Sequence, residues 1–405
     1  MNLWTPTLLA WLCLGILTVW IPGGWCPALF EVGVFLLTAG RLVWFVYRSE
    51  SKQKQAWLPL LSLLVAPVLG VAQLLCGRSS YDYVTRLSVL AGISMVCVFW
   101  MMSTLDRQEA SWVRRGMLWF SFVVAAVAIL QVFTSSGEVF WIFPTEYKDN
   151  VLGPFLSRNQ WGAFVEIALP IALYEALRSR HRGLLFSAMT ATLFASVVAG
   201  ASRAGTTLCA MAVLAVPLLA RRKGMVHQGG GWMLAKIFAM VAVFVLVVGP
   251  SVVWDRFLQP DPYVLRREFL LSSLTMVKEH PLTGFGLGTW ATVYPQFALV
   301  DPGLWANRAH NDWIQWAVEG GGLLLAAWTA ITVWAARRAL RSVWGIGVLL
   351  VFMHCWVDYP FSLPALAAWV VAGLGLLASP LEAELRSEER NPGEPRPASP
   401  WASKR

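Results

Sequence analysis

The sequence predicts an all-α, polytopic membrane protein with about twelve transmembrane helices and a large external loop. Three observations carry this expectation. Apolar residues make up 57% of the 405 residues and charged residues only 14%, where an ordinary soluble domain has roughly 25% charged residues. Mean hydropathy is +0.58 over 44.9 kDa. The apolar residues also come in long blocks, several near the ~20 residues that a helix needs to cross a bilayer. Together these exclude a soluble domain, a nucleic-acid-binding module and a disordered chain. The net charge of +9 therefore reports membrane orientation, not affinity for nucleic acid.

The apolar segments fall at roughly 3–21, 27–46, 58–76, 84–104, 116–133, 160–177, 184–200, 204–220, 233–252, 313–335, 343–356 and 361–379. The first lacks a basic leader region and runs on into another apolar block, so it reads as a span and not as a cleaved signal peptide. Arg48, Lys52 and Lys54 separate the second and third, and Arg107, Arg114 and Arg115 lie between the fourth and fifth. Arg178, Arg180 and Arg182 follow the sixth, and Arg221, Arg222 and Lys223 follow the eighth. Arg337, Arg338 and Arg341 follow the tenth, and Asp358-Tyr359-Pro360 makes a tight turn between the last two. Basic residues thus crowd into alternate connections and into the tail, which places both termini in the cytoplasm. The 23 Trp suit rings at the two interfaces. The six Cys form no CxxC pair and mostly lie inside apolar runs, as small hydrophobic residues do. The expected organisation is a single transmembrane domain, 1–380, with a minor outer loop at 134–159 and a large one at 253–312. The polar, Pro-, Glu- and Arg-rich tail, 382–405, reads as disordered and cytoplasmic.

The outer loops hold the residues that need explaining. The large loop carries Trp, Phe, Tyr and Leu throughout, so it is expected to fold back on the membrane. Within it, Val264–Glu279 reads as a short helix with Leu265, Phe269, Leu270, Leu274 and Val277 on its apolar face. It is either a surface helix lying on the bilayer or a lid whose basic end reaches an anionic headgroup. Arg203, between two spans at the outer face, is either a snorkelling side chain or a guanidinium fork for phosphate oxygens. Arg158, Arg266, Arg267 and Arg308 lie on the same side. Several outward arginines run against the positive-inside trend and suggest an anionic substrate at the outer leaflet.

Of the five histidines, His310 differs from the rest. It stands in Arg308-Ala309-His310-Asn311-Asp312, just before a span carrying Glu319 and Gly320-Gly321-Gly322. A histidine there can act as a general base near neutral pH, oriented by Asp312 or Glu319; a satisfied interfacial histidine is the plainer reading. His354 ends a span near Asp358 and reads as structural. Thr283-Gly284-Phe285-Gly286-Leu287-Gly288-Thr289 lacks a Walker lysine and a βαβ context, so its glycines are expected to make a tight turn or to admit a close backbone approach. Without HExxH, CxxC or a carboxylate cage, no metal and no cofactor is expected.

Taken in order, these residues resemble the O-antigen ligase and polymerase-related superfamily, bacterial polytopic glycosyltransferases that use polyprenyl-diphosphate-linked sugars. The marks span roughly 150–360: Gly153-Pro154-Phe155 with Arg158-Asn159, Ser202-Arg203-Ala204-Gly205, the Pro281–Gly288 stretch, Ala309-His310-Asn311-Asp312 with Glu319-Gly320, and His354 with Asp358 and Pro360. Two departures are the Ala and Gly of Ser202-Arg203-Ala204-Gly205, where many members place Gly first, and Gln160, where members often have a second Asn. The resemblance implies a GT-C-like fold in a bacterial inner membrane, with the active site facing the periplasm. It implies metal-independent, inverting transfer of a glycan from undecaprenyl diphosphate to an acceptor hydroxyl. By this likeness Arg203 and a loop-helix arginine, Arg266 in preference to Arg267, contact the diphosphate, with Arg158, Asn159 and Arg308 also on the substrate. His310 is the catalytic base, and Asn311, Asp312, Glu319, His354 and Asp358 support it. The implied partners are the undecaprenyl-diphosphate-linked donor, a lipid-anchored, glycan or protein acceptor, and membrane lipids, with no nucleic acid. A polymerase or a protein O-oligosaccharyltransferase would share this donor chemistry. A transporter would instead call for paired broken spans and midplane ion ligands.

Overall fold

The computed structural model describes residues 3–48, 56–147, 151–179, 181–226, 231–248, 263–300, 303 and 305–379. The expected tail at 382–405 and the start of the large loop, 253–262, lie outside them, as do Lys52, Lys54 and Arg180. Among the described residues the chain is all-α apart from one two-residue strand pair, Glu138–Val139 with Phe143–Pro144. In order the helices are α1 (Trp4–Leu17), α2 (Trp25–Arg48), α3 (Trp57–Leu75), α4 (Asp82–Ser103), α5 (Arg107–Thr134), α6 (Arg158–Arg178), α7 (Gly183–Ala199) and α8 (Arg203–Arg222). They continue with α9 (Gly231–Val248), α10 (Tyr263–Glu279), α11 (Trp290–Val293), α12 (Asp312–Ser342), α13 (Ile346–His354) and α14 (Pro364–Ala378).

The expectation of about twelve spans is corrected. Among the described residues six helices are long and apolar enough to cross a membrane: Trp25–Tyr47, Trp57–Leu75, Asp82–Ser103, Arg107–Thr134, Arg203–Arg222 and Asp312–Ser342. Apolar run length overcounts because it cannot separate a lipid-facing helix from a short one buried in protein. Helices α1, α7 and α14 have only 14, 17 and 15 residues. Helix α13 has 9, and α6 carries Arg158, Glu166, Glu175 and Arg178 along its 21.

Burial shows what these shorter helices do. Nearly every residue of α6 is buried, and every residue of α14 from Ala365 to Ala378. A helix apolar on all sides belongs at the centre of a bundle. Aromatic rings fill the contact: Phe164 packs on Phe155, Trp161 and Trp369 with centroids 5.4–5.5 Å apart. Polar groups pin the surrounding helices. Asp106 and Glu109 form a capping box at the start of α5, and Thr5 of α1 donates to Glu109 at 3.0 Å. Arg114 of α5 pairs with Glu175 of α6 at 2.9 Å, its guanidinium 5.3 Å from the Tyr174 and Trp344 ring centres.

Helix α12 is broken. Gly321 has φ 62 and ψ −160 within it, a conformation that only glycine adopts at little cost. The glycine-rich stretch after Pro281 fills the break. Phe285 and Gly286 donate their N–H groups to the carbonyls of Val318 and Glu319 (3.0 and 3.1 Å), and Gly322 N–H reaches Pro281 O at 2.7 Å. Gln73 of α3 donates to Glu319 O and Thr283 O. A β-carbon on Gly284 would lie 2.3 Å from Glu319 C, and one on Gly321 2.2 Å from Leu282 C. The expected close backbone approach is thus made, and what approaches is another stretch of the chain.

Helix α10 is neither a free surface helix nor a detached lid. It packs on α12, and Phe269 and Met276 join Phe285, Trp290, Tyr294 and Val318 in a small core separate from the main one. Of the expected apolar face, Leu270 and Leu274 are exposed and take no part in this core. The buried side is partly polar: Glu268 accepts from Tyr294 hydroxyl (2.5 Å), Ser272 hydroxyl (2.6 Å) and Leu299 N–H (3.0 Å). A carboxylate satisfied three times can sit inside, which periodicity alone does not reveal.

Candidate active site

Two groups of residues meet where α6, α8, α10, α12 and the turn after α13 come together. The first is built on helix N-termini. Arg158 opens α6 and Arg203 opens α8, both half-buried. Ser202 caps α8, its hydroxyl accepting from Gly205 N–H at 3.1 Å while donating to Asn159 Oδ1 at 3.0 Å. Ala201, just before it, has φ 52, strain that a well-packed turn must hold. The two helices meet at glycines: a β-carbon on Gly162 would lie 3.1 Å from Gly205 Cα, 3.3 Å from Ser202 Oγ and 3.3 Å from His354 Cε1. Helix N-termini present N–H groups and positive dipole ends, so a guanidinium on each makes this corner suited to an anion.

The second group surrounds His310. Its backbone is left-handed, φ 52, uncommon outside glycine and concentrated at functional positions. The imidazole stacks on Phe269 (6.0 Å, 11°) and meets Tyr359 edge-on at 4.7 Å. Its Nδ1 lies 3.4 Å from Asp358 Oδ1, with side-chain exposures of 29% for the imidazole and 2% for Asp358. The ring is therefore reachable and the carboxyl behind it is not. Arg266 Nη1 donates to Val357 O at 3.1 Å, tying α10 to the same turn, whereas Arg267 is exposed. The charges of both Arg266 and Arg308 act on Tyr359. Burial first, and the charge of Asp358 second, hold the Tyr359 hydroxyl above its ordinary pKa.

Asp312 and Glu319 do not orient His310. Asp312 Oδ2 accepts from Phe361 N–H at 3.0 Å, and its own N–H bonds Cys355 O and Asp358 O. Glu319 accepts from Gly288 N–H (2.9 Å), Trp290 N–H (3.4 Å) and Gln315 (2.9 Å). Glu319 thus holds the large loop to α12, and Asp312 holds the segment after α13 to the start of α12. Asn311 caps α12, accepting from Ile314 N–H at 3.1 Å. His354 is fully buried, its Nδ1 2.7 Å from Glu166 Oε1, and the Asp358 N–H bonds its carbonyl at 3.0 Å. Glu166 escaped the sequence reading. Its signal was there: a carboxyl inside the apolar run 160–177, a position where ionisable groups are costly and tend to be functional.

Fold and site together define a polytopic helical membrane protein with a cationic corner at two helix N-termini and a partly exposed histidine backed by a buried carboxyl. Residues 185–329 match the family model described as O-Antigen ligase, so this stretch is homologous to that family. The match covers Arg203, Arg266, Arg267, Arg308, His310, Asn311, Asp312 and Glu319. It is narrower than the 150–360 resemblance and leaves out Arg158, Asn159, His354 and Asp358. No curated protein matches the chain. Among the described residues no group of three or more His, Cys, Asp or Glu is placed to hold a metal ion.

Proposed function

We propose that this protein transfers a glycan from undecaprenyl diphosphate to an acceptor hydroxyl, by inversion and without a metal, at the periplasmic face of a bacterial inner membrane. The observation that carries the reading is the left-handed, partly exposed His310, its Nδ1 toward buried Asp358 and its ring against Tyr359, on which the charges of Arg266 and Arg308 act. Asp358 favours the tautomer with the proton on Nδ1 and leaves Nε2 to take a proton. His310 accepts the acceptor's hydroxyl proton as that oxygen bonds the anomeric carbon. The bond from that carbon to the diphosphate oxygen breaks on the opposite face. Arg203 and Arg266 meet the charge that develops on the leaving diphosphate, through bidentate contacts that need no proton transfer. Arg158, Asn159 and Arg308 hold the rest of the substrate, and Asn311, Asp312 and Glu319 keep the His310 segment in place. The positive-inside pattern supports the periplasmic direction.

The test uses purified protein, an undecaprenyl-diphosphate-linked oligosaccharide and EDTA throughout. His310→Ala and Arg203→Ala are expected to fold and to lose transfer. Normal turnover by both variants overturns the assignment, and loss of wild-type turnover in EDTA overturns the metal-free step. Lipid A core, glycan repeat units and a pilin-like protein as alternative acceptors separate ligase, polymerase and protein transferase.

A further inference from the structure

A cavity of about 370 Å³ runs between α2, α3, α4 and the first half of α12, and Arg308 and Asp312, which flank His310 in sequence, are on its wall. Two further features of that wall stand out. Trp316 and Trp328 both line it and stack on each other at 4.4 Å and 11°. Facing the same space is Glu31, in the first third of apolar helix α2 and only 8% exposed. Glu319 and Asp312 are already engaged by N–H donors. No hydrogen bond or ion pair engages the Glu31 carboxyl among the described residues.

A carboxyl with no protein partner, on a wall that also carries Ser88, Arg308 and Gln315, is available to a polar ligand. A groove for an isoprenoid or acyl tail gains nothing from it. A sugar ring uses both features: its hydroxyls donate to a carboxyl, and its C–H face packs on an aromatic ring. Ligand sites commonly combine apolar walls with a few placed polar groups in this way.

We propose that this cavity is a glycosyl subsite, in which Glu31 accepts hydrogen bonds from the hydroxyls of a sugar ring packed against the Trp316–Trp328 wall. The proposal rests on the glycan-transfer reading and adds a residue outside the matched family segment. The ring belongs to donor or acceptor; the recognition chemistry is the same.

The test is equilibrium binding to the full-length protein in lipid nanodiscs, read without turnover. The probes are undecaprenyl diphosphate without sugar, an undecaprenyl-diphosphate-linked oligosaccharide, and lipid A core. Glu31→Leu is expected to weaken one glycan-bearing probe about tenfold or more, the scale of a lost charged hydrogen bond, and to leave sugar-free undecaprenyl diphosphate unchanged. The probe that weakens names the source of the sugar. Unchanged binding of all three overturns the proposal. So does equal weakening of all three, tighter binding of the sugar-free lipid, or failure of either glycan probe to bind the wild type. If Glu31→Leu does not insert, Glu31→Gln carries the test, with a selective loss of about threefold expected because the acceptor loses its charge. The glycan-transfer reading fails separately, when His310→Ala still turns over.

Discussion

Removing Glu166 should cost far more than its size suggests. The Glu166–His354 pair joins the middle of α6 to the end of α13 at 2.7 Å, and both side chains are fully buried. The turn hung on His354 carries Val357 O, which holds Arg266, and Asp358, which faces His310. Glu166→Ala leaves a buried imidazole without its partner. Breaking a buried pair from one side costs about 3–5 kcal/mol. Against a total stability of roughly 5–15 kcal/mol, that is a large share. Glu166→Gln keeps the volume and an acceptor for His354 Nδ1–H, so it should cost about 1 kcal/mol. The measurement is unfolding in mixed micelles on titration with SDS, followed by Trp fluorescence and repeated for both variants. Transfer assays on the folded fraction should show a lower kcat with little change in donor KM, since the pair touches no substrate. If Ala and Gln variants unfold within about 1 kcal/mol of each other, the pair is not holding the two helices and the reasoning fails. If both fold and turn over at the wild-type rate, the turn does not depend on it.

Three further outcomes follow from the same geometry. Asp358→Asn should lower turnover about 100-fold or more with the protein intact, because His310 loses the group that orients it; wild-type turnover would return that role to other residues. Gly284→Ala should destabilise by about 2 kcal/mol or more, since it places a β-carbon at φ +66, 2.3 Å from Glu319 C; the sign is faster proteolysis within 281–300, and unchanged proteolysis would refute the docking. Tyr359 should stay neutral well past its ordinary pKa of about 10. With the folded value raised, its contribution is complete below that unfolded pKa and is lost as pH rises above it, by up to about 1.4 kcal/mol per pH unit. Tyr359→Phe should therefore lose less stability than the wild type between pH 10 and 11, as alkaline unfolding curves would show; identical curves would mean the hydroxyl is not buried against Asp358.

What the sequence revealed and what it hid divide along physical lines. The membrane class was legible because composition reports the solvent directly. Helix positions were legible too, since each apolar run coincides with a helix. The number of crossings was not: hydropathy cannot tell that α14 is short and enclosed while α4 is long and half-exposed. The site divides in the same way. Arg203 and His310 stand out locally, as charged or titratable groups at the ends of apolar runs, and Arg266 as a basic residue on the external loop helix. The partner of His310 does not. Asp312 and Glu319, near it in sequence, are bound to backbone N–H groups, while Asp358 reaches it only after α12 and α13 have returned the chain. Glu31 and Glu166 were readable as carboxyls inside apolar runs, but Glu166 acquires a role only once His354 lies against it.

The break in α12 explains how the segment carrying His310 is held against the large loop. A continuous helix from Asp312 to Ser342 would offer no free backbone groups to the loop. With Gly321 out of helical geometry, the carbonyls of Val318 and Glu319 are open to Phe285, Gly286 and Gln73, while Gly322 N–H turns to Pro281. Those bonds form where water is scarce, so leaving them unmade would cost heavily. The loop is consequently fixed by backbone contacts, and its own core of Phe269, Met276, Trp290 and Tyr294 extends that rigidity to the face on which His310 stacks. The glycines after Pro281 thus act through the backbone of α12, into which the His310 segment leads. Bulky residues at Gly284 or Gly286 would misplace the histidine before they changed any charged group.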